Sequence, residues 1–392
     1  MIKVMHVITT LGPAGAETML CRVAGAMDGS RFQNEVVSLT GILDQAEKMQ
    51  AIGVRVRTLG MKASVPNPLL VLRLAQWIRG SKPDLIQTWM CHPNFIGAFA
   101  ARLAGNVPVV WGIHDSGLDS SMGNRRTTLV IRACALLSRK YAARIVCCSE
   151  ASLRLHKELG YAAEKLEVIP NGFDVEQFKP DPAAYASLRK ELGIPAETLL
   201  IGIAARFHPH KDHHNFVEAA ARLHKELPAV HFLLCGLDIT WQNSQLAEWI
   251  EAAGLRDCCH LLGVRQDVSR LFAGMEIATT ASCSEAFPIV IGEAMACGTP
   301  CVVTDVGDSA LIVGETGVVV PPGDPDALAE AWRKLIEAGP AVRRRLGMAA
   351  RRRVQQHFAL PAIVDRYQAI YAQLAAGTLQ GGSVPSLSHC AR

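Results

Sequence analysis

Residues 284–300 read Ser-Glu-Ala-Phe-Pro-Ile-Val-Ile-Gly-Glu-Ala-Met-Ala-Cys-Gly-Thr-Pro and place two carboxylates, Glu285 and Glu293, on either side of a loop that runs into a helix. Glu293 sits among good helix formers, and Gly298 followed by Pro300 stops the helix. Phe287, Pro288 and Ile289 form the turn into it. The free N–H groups of such a helix start attract an anion such as a diphosphate. A carboxylate one or two turns further in, here Glu293, can accept both hydroxyls of a ribose. Together these residues describe a site for a nucleoside diphosphate that carries a hydroxylated group.

A second cluster supplies the opposite charge. Ala-Arg-Phe-His-Pro-His-Lys, residues 205–211, follows an apolar run and sets Arg206 and Lys211 across a loop that Pro209 keeps from being helical. A guanidinium holds two phosphate oxygens at once, and an ammonium adds a point charge. A diphosphate is an anion that such a pair would hold and whose charge it would stabilise. The only Asp-x-Asp spacing is Asp324-Pro325-Asp326, in a Pro-Gly loop that reads as a helix cap. We therefore expect no metal ligands and no cofactor, with Arg206 and Lys211 carrying the positive charge.

The elements that must position these residues alternate throughout the chain. Apolar runs at 3–9, 33–39, 54–58, 85–88, 109–113, 144–148 and 166–169 read as strands, with helices such as 17–27 and 68–79 between them. A second series runs through 199–204, 230–235, 259–262, 277–280, 300–304 and 317–320. Such alternation predicts α/β architecture with parallel sheets covered on both faces. Between the series, residues 170–182 are rich in Pro, Asn, Gly and Asp and read as a linker. A chain of 392 residues exceeds what one core usually supports, so two domains follow on size alone.

The Glu-x7-Glu spacing with Phe-Pro inside it, the following Ala-Met-Ala-x-Gly-x-Pro and the Arg-x4-Lys pair closely resemble retaining glycosyltransferase family 4. That resemblance implies the GT-B fold, two Rossmann-like domains with parallel sheets facing a central cleft. It divides the chain into an acceptor-side domain at 1–172, a nucleotide-sugar domain at 173–358, a helix at 359–376 returning to the first domain, and a disordered tail at 377–392. It implies that Arg206 and Lys211 stabilise the departing diphosphate and that Glu293 holds the ribose. Glu285, with the backbone from Phe287 through Pro288 to Ile289, would hold the donor sugar and its phosphate. His114, which ends the fifth strand, matches a family histidine near the donor sugar. Gly12 and Gly15 lie in the first βα loop, which approaches donor phosphate or acceptor, although Ala14 stands where the family has a glycine. Gly263 and Val264 fall where the family binds the base, and Asp308 departs from its usual pair of glycines.

The activity implied is transfer of a hexose from a nucleoside diphosphate sugar, UDP-sugar favoured, to a hydroxyl of a saccharide or lipid-linked saccharide in bacterial surface polysaccharide synthesis. A catalytically silent GT-B subunit and a sugar-nucleotide 2-epimerase are the alternatives.

Composition narrows the partners. Apolar residues make up 49% of the chain and charged ones 19%, a globular balance, and no apolar run reaches membrane-spanning length. The twelve cysteines are scattered with no Cys-x-x-Cys, which fits reduced thiols in the cytoplasm. The net charge of +4 is uneven: residues 1–172 hold 20 Lys and Arg against 12 Asp and Glu. Arg125, Arg126, Arg132, Arg139, Lys140 and Arg144 meet no acid between Asp119 and Glu150. Arg125, Arg132 and Arg139 share a helix face, with Leu129, Val130, Leu136 and Leu137 as apolar neighbours. A basic helix at 125–144 is thus expected either to touch the inner membrane surface or to be a solvated face packing its leucines on the sheet. No nucleic-acid partner is expected. The arginine triplets 343–345 and 351–353 read as solvated helix faces.

Overall fold

The computed structural model describes residues 1–12, 14–41, 44–61, 68–115 and 125–380. The chain divides into two compact units, one comprising Met1–Gly172 with Leu360–Arg392 and the other Phe173–Ala359.

The first unit is built on seven parallel strands: β1 (Ile2–Ile8), β2 (Phe32–Ser38), β3 (Arg55–Thr58), β4 (Leu85–Trp89), β5 (Val109–Ile113), β6 (Arg144–Cys147) and β7 (Leu166–Val168). Their order is β3-β2-β1-β4-β5-β6-β7. Register aligns Ile8 with Ser38 and Trp89, and Trp89 with Gly112. The loops that leave β1, β4 and β5 therefore emerge at one edge. Two apolar clusters cover the sheet, one on each side of the alternating β1 residues: Val4 and Ile8 belong to the first, Met5 and Val7 to the second.

The helix Leu360–Gln380 belongs to this unit although it follows the other in sequence. Ile363, Val364, Tyr367, Ile370, Tyr371 and Leu374 join the cluster of Val4, Leu20, Val23 and Trp89. The Tyr371 hydroxyl donates to Gln87 Oε1 at 3.0 Å, which satisfies two buried polar groups at once. The helix runs four residues past the end expected at 376, and residues 381–392 of the expected tail lie outside the described residues.

The second unit has six parallel strands: β8 (Leu199–Ala204), β9 (Val230–Cys235), β10 (Cys259–Leu261), β11 (Ile277–Thr280), β12 (Cys301–Thr304) and β13 (Val318–Val320). They run in the order β10-β9-β8-β11-β12-β13. Buried Trp332, Phe216 and Phe232 anchor its core, and the Trp332 indole donates to Thr279 Oγ1 at 2.9 Å. Asp324 caps the helix Pro325–Glu337 by accepting from Ala327 N, and Asp326 pairs with Arg222 at 2.6 Å, so both carboxylates of the Asp-x-Asp are engaged.

Arg344, Arg345 and Arg352 are exposed, as expected of solvated faces, whereas Arg343, Arg351 and Arg353 correct that expectation. Arg343 is buried and donates to the carbonyls of Leu335 and Ile336 at the end of the preceding helix. Arg351 donates to the carbonyls of Val175, Phe178 and Ala296, and Arg353 to those of Leu311 and Ile312. Carbonyls at helix C-termini lack intrahelical partners and attract cations, a need that helical spacing alone does not reveal. Among the described residues no helix is long and apolar enough to cross a membrane, and the cysteines are all free thiols.

Replacing Arg343 with Met should leave the buried Leu335 carbonyl without this donor and lower stability by about 1–3 kcal/mol. Arg344→Met, on the exposed side of the same helix, should change it by less than about 0.5 kcal/mol. Urea denaturation of both variants checks the contrast.

Candidate functional site

Parallel strands deliver their outgoing loops to one edge of a sheet, and ligands of open α/β sheets bind there. In the second unit that edge collects the loops after β8, β9, β10, β11 and β12.

The β8 loop carries exposed Arg206 and then a tight turn, Pro209–Lys211. Asp212 follows in the left-handed region, at φ 45°, and its carboxylate caps the helix His213–Glu226 by accepting from Asn215 N. That sharp reversal aims Lys211 toward the β11 loop. There its ammonium pairs with Glu285 Oε1, which also accepts from Ser282 Oγ at 2.8 Å. Cys283 N donates to His210 O at 2.9 Å, a second tie between the two loops. One ammonium hydrogen meets Glu285, and an ammonium has three. Glu285 thus positions Lys211, and the rest of its donor capacity suits phosphate oxygens.

The β11 loop runs into the helix Ile289–Ala296, whose N-cap, Pro288, supplies no side-chain cap. Ile291 N donates to Pro288 O at 3.3 Å, and the N–H groups of Ile289 and Val290 before it suit an acceptor from elsewhere. Glu293 is buried on the second turn, at 8% exposure. The residue before it must be small: a Cβ on Gly292 would sit 2.1 Å from the Phe173 ring. Phe173 stacks on Phe287, with centroids 6.2 Å apart, so this contact also fixes the turn. The β12 loop closes in from the other side. Gly307, at φ 57°, lies so near the Glu285 carbonyl that a Cβ would approach to 2.3 Å, and Asp308 N donates to Ala286 O at 3.0 Å. Asp308 thus belongs to the brace of the Glu285 loop.

On the far side of β8, Gly263 N donates to Ile239 O and Gly263 O accepts from Gly236 N, tying the β10 loop to the β9 loop. Val264 next to it is 61% exposed, a flat apolar surface beside backbone groups. Two imidazoles at this edge are pushed toward the neutral form. Burial first, and then Arg206, His210 and Lys211, push the His208 imidazole down. Burial and Lys211 hold His213 at about 4. The permanent positive charges of the loop after β8 are Arg206 and Lys211.

Gly12, Gly15 and His114 lie in the first unit, at the edge shared by β1, β4 and β5. Gly15 opens the helix Gly15–Ala26, whose N-cap Ala14 makes no side-chain bond. His114 stacks on Trp89, with centroids 5.0 Å apart, and both its ring nitrogens are buried without a hydrogen-bond partner among the described residues. Trp89 Nε1 donates in turn to His6 Nδ1, so the ring beneath His114 is held by the core. An unsatisfied buried imidazole is costly and calls for a polar ligand. Sequence reasoning alone does not find Ser282, Phe173 or Trp89. Only the three-residue spacing of Ser282 from Glu285 offers a signal for any of them.

Profiles of two sequence families match: Glycosyltransferase Family 4 over residues 13–177 and Glycosyl transferases group 1 over residues 185–353. The chain belongs to the family 4, group 1 glycosyltransferases. This glycosyltransferase is 24% identical to the Escherichia coli UDP-Gal:alpha-D-GlcNAc-diphosphoundecaprenol alpha-1,3-galactosyltransferase, a match covering 95% of this chain and 97% of the relative. It is 25% identical to the Campylobacter jejuni N,N'-diacetylbacillosaminyl-diphospho-undecaprenol alpha-1,3-N-acetylgalactosaminyltransferase, over 70% of this chain and 73% of that one. Among solved structures, Anabaena HepE in complex with UDP and glucose superposes with a TM-score of 0.83 at 25% identity, covering 95% of this chain and all of HepE. Sucrose-phosphate synthase of Thermosynechococcus elongatus, 21% identical, shares the fold with a TM-score of 0.81 over 96% of this chain and all of its own. The fold of this glycosyltransferase is GT-B.

Burial holds the His114 imidazole at about 4, so it is neutral across pH 5–8. His114→Gln should then lower turnover without moving the acid limb of the pH–rate profile; a displaced limb would contradict a neutral role. Its folded pKa lies below the unfolded value of 6.5, so its stability contribution is complete above pH 6.5 and lost as pH falls toward 4. The wild-type urea midpoint should fall over that window, and less steeply in His114→Gln.

Proposed function

We propose that this glycosyltransferase moves a hexose from a UDP-sugar to a hydroxyl of a lipid-linked saccharide, with retention of anomeric configuration and without a metal ion, in the synthesis of a bacterial surface polysaccharide. The observation that carries the reading is the Lys211–Glu285 pair set beside an uncapped helix start, with Arg206 on the same loop and Glu293 on the same helix.

The bond from the anomeric carbon to the β-phosphate oxygen breaks, and its electron pair goes to the diphosphate. Arg206, the ammonium of Lys211 and the N–H groups of the helix start stabilise the negative charge that develops there. The acceptor oxygen bonds to the anomeric carbon from the face the diphosphate leaves, and its proton passes to the departing phosphate oxygen. Glu293 holds the ribose, and Glu285 steadies a sugar hydroxyl while it positions Lys211. The family resemblance assigns His114 to a donor-sugar hydroxyl, and the polar ligand its bare nitrogens call for supports that. It also assigns the loop of Gly12 and Gly15 to donor phosphate or acceptor. HepE, seen with UDP and glucose, supports the donor. Undecaprenyl-diphosphate saccharides, named as acceptors of the Escherichia coli and Campylobacter jejuni relatives, support the acceptor class.

Lys211→Met should lower kcat about 10²–10³-fold with donor KM changed only a few-fold, because its contribution grows in the transition state. Glu293→Ala should instead raise donor KM about tenfold or more while kcat is largely kept, because ribose binding is uniform along the reaction. Steady-state kinetics on a lipid-linked acceptor separates the two, and turnover unchanged in both variants would contradict the assignment. NMR of the product distinguishes the rivals: an epimerase rearranges the donor sugar, and a silent subunit turns nothing over.

A further inference from the structure

We propose that the helix Arg125–Tyr141 is an interfacial element that seats the first unit on an anionic lipid bilayer. The proposal rests on the function proposed above only for the need to meet a lipid-linked acceptor.

The helix has two faces. Ile131, Cys134, Ala135 and Ser138 are buried, and Val130 and Leu137 pack against the same apolar cluster. Leu129 and Leu136 do not share this fate. They are 68% and 86% exposed, and Leu136 is the most exposed large apolar side chain among the described residues. The expectation that all four apolar neighbours pack on the sheet is thus corrected. Val130 and Leu137 face in, whereas Leu129 and Leu136, two turns apart, face out together.

Arg126, Arg132, Arg139 and Lys140 are exposed around these leucines. At 3.6 residues per turn the six side chains occupy an arc of about 140°. The helix itself holds no acid. Glu164 approaches Arg139 at 3.7 Å between two exposed side chains, a weak pair in water. Lys140 lies over the Tyr141 ring, 5.6 Å from its centroid.

Exposed leucines set between cations match a partner that is apolar inside and anionic at its surface. A soluble polyanion would use the cations and leave the leucines idle. An apolar protein groove would have to accommodate four positive charges. A bilayer with anionic headgroups uses both, with leucines entering the acyl boundary and each basic side chain near the surface raising partition about fivefold.

The full-length protein should sediment with vesicles of phosphatidylcholine containing phosphatidylglycerol and stay in solution with phosphatidylcholine alone. Leu129→Gln/Leu136→Gln and Arg132→Gln/Arg139→Gln should each lower partition at least tenfold, with the wild-type thermal midpoint and UDP affinity kept. Transfer to a soluble, lipid-free acceptor analogue should be unchanged, so failure of this proposal is distinguishable from failure of the catalytic reading. Absence of binding to anionic vesicles overturns the proposal. Vesicle binding that survives loss of both leucines and is competed by heparin would mark a polyanion surface instead and also overturn it. A dimer in light scattering that the leucine variant dissociates would identify the face as a self-association surface, which overturns it equally.

Discussion

Parallel strand pairing is the constraint from which the rest follows. Each strand that runs parallel to its neighbour must be reached by a crossover, so every outgoing loop appears at the same edge. In the second unit this places Arg206, Lys211, Gly263, Glu285 and Asp308 on loops of one edge although they span about a hundred residues of sequence. The loops are then fastened to one another by backbone bonds, Cys283 to His210 and Asp308 to Ala286, and by the ion pair of Lys211 with Glu285. Preorganisation of that kind is what electrostatic catalysis needs, since donors already fixed in place need not reorganise as charge develops.

Much of this frame is legible in the sequence because buried parallel strands read as continuous apolar runs. The strands β5, β8, β9 and β11 fall at the expected residues, and the others differ at their ends by one residue. The site string is legible for a different reason: Glu285, the turn at Pro288 and Glu293 are neighbours in sequence, so their chemistry is linear. What escapes the sequence depends on contacts across it. Lys211 and Glu285 meet only because β8 and β11 are adjacent. Gly292 is obligatory only because Phe173 lies against it. Arg343 and Arg353 face carbonyls of other helices, and the phase of the basic helix is set by what Ile131 and Cys134 pack on. No periodicity within one segment contains that information.

The histidines and the arginines divide the electrostatic work. Burial keeps His6, His114 and His213 neutral near physiological pH, each held at about 4, so they can bond polar groups without adding charge. Permanent charge stands on Arg206 and Lys211 of the loop after β8, where an anion is expected, and on the exposed face of Arg125–Tyr141, where a larger anionic surface would fit. The same residue type thus stands in three settings in this chain: on the loop after β8, against carbonyls at helix ends, and outward between leucines.

The central claim is that cationic side chains of the β8 loop, and not a metal ion, hold the diphosphate. Calorimetric titration of UDP into the wild-type protein and into Arg206→Met/Lys211→Met, all in EDTA, tests it most directly. One UDP site in the wild type that survives EDTA, with affinity lost at least a hundredfold in the variant, is the predicted result. Binding that is absent in EDTA and restored by magnesium, or that is indifferent to both substitutions, would contradict it.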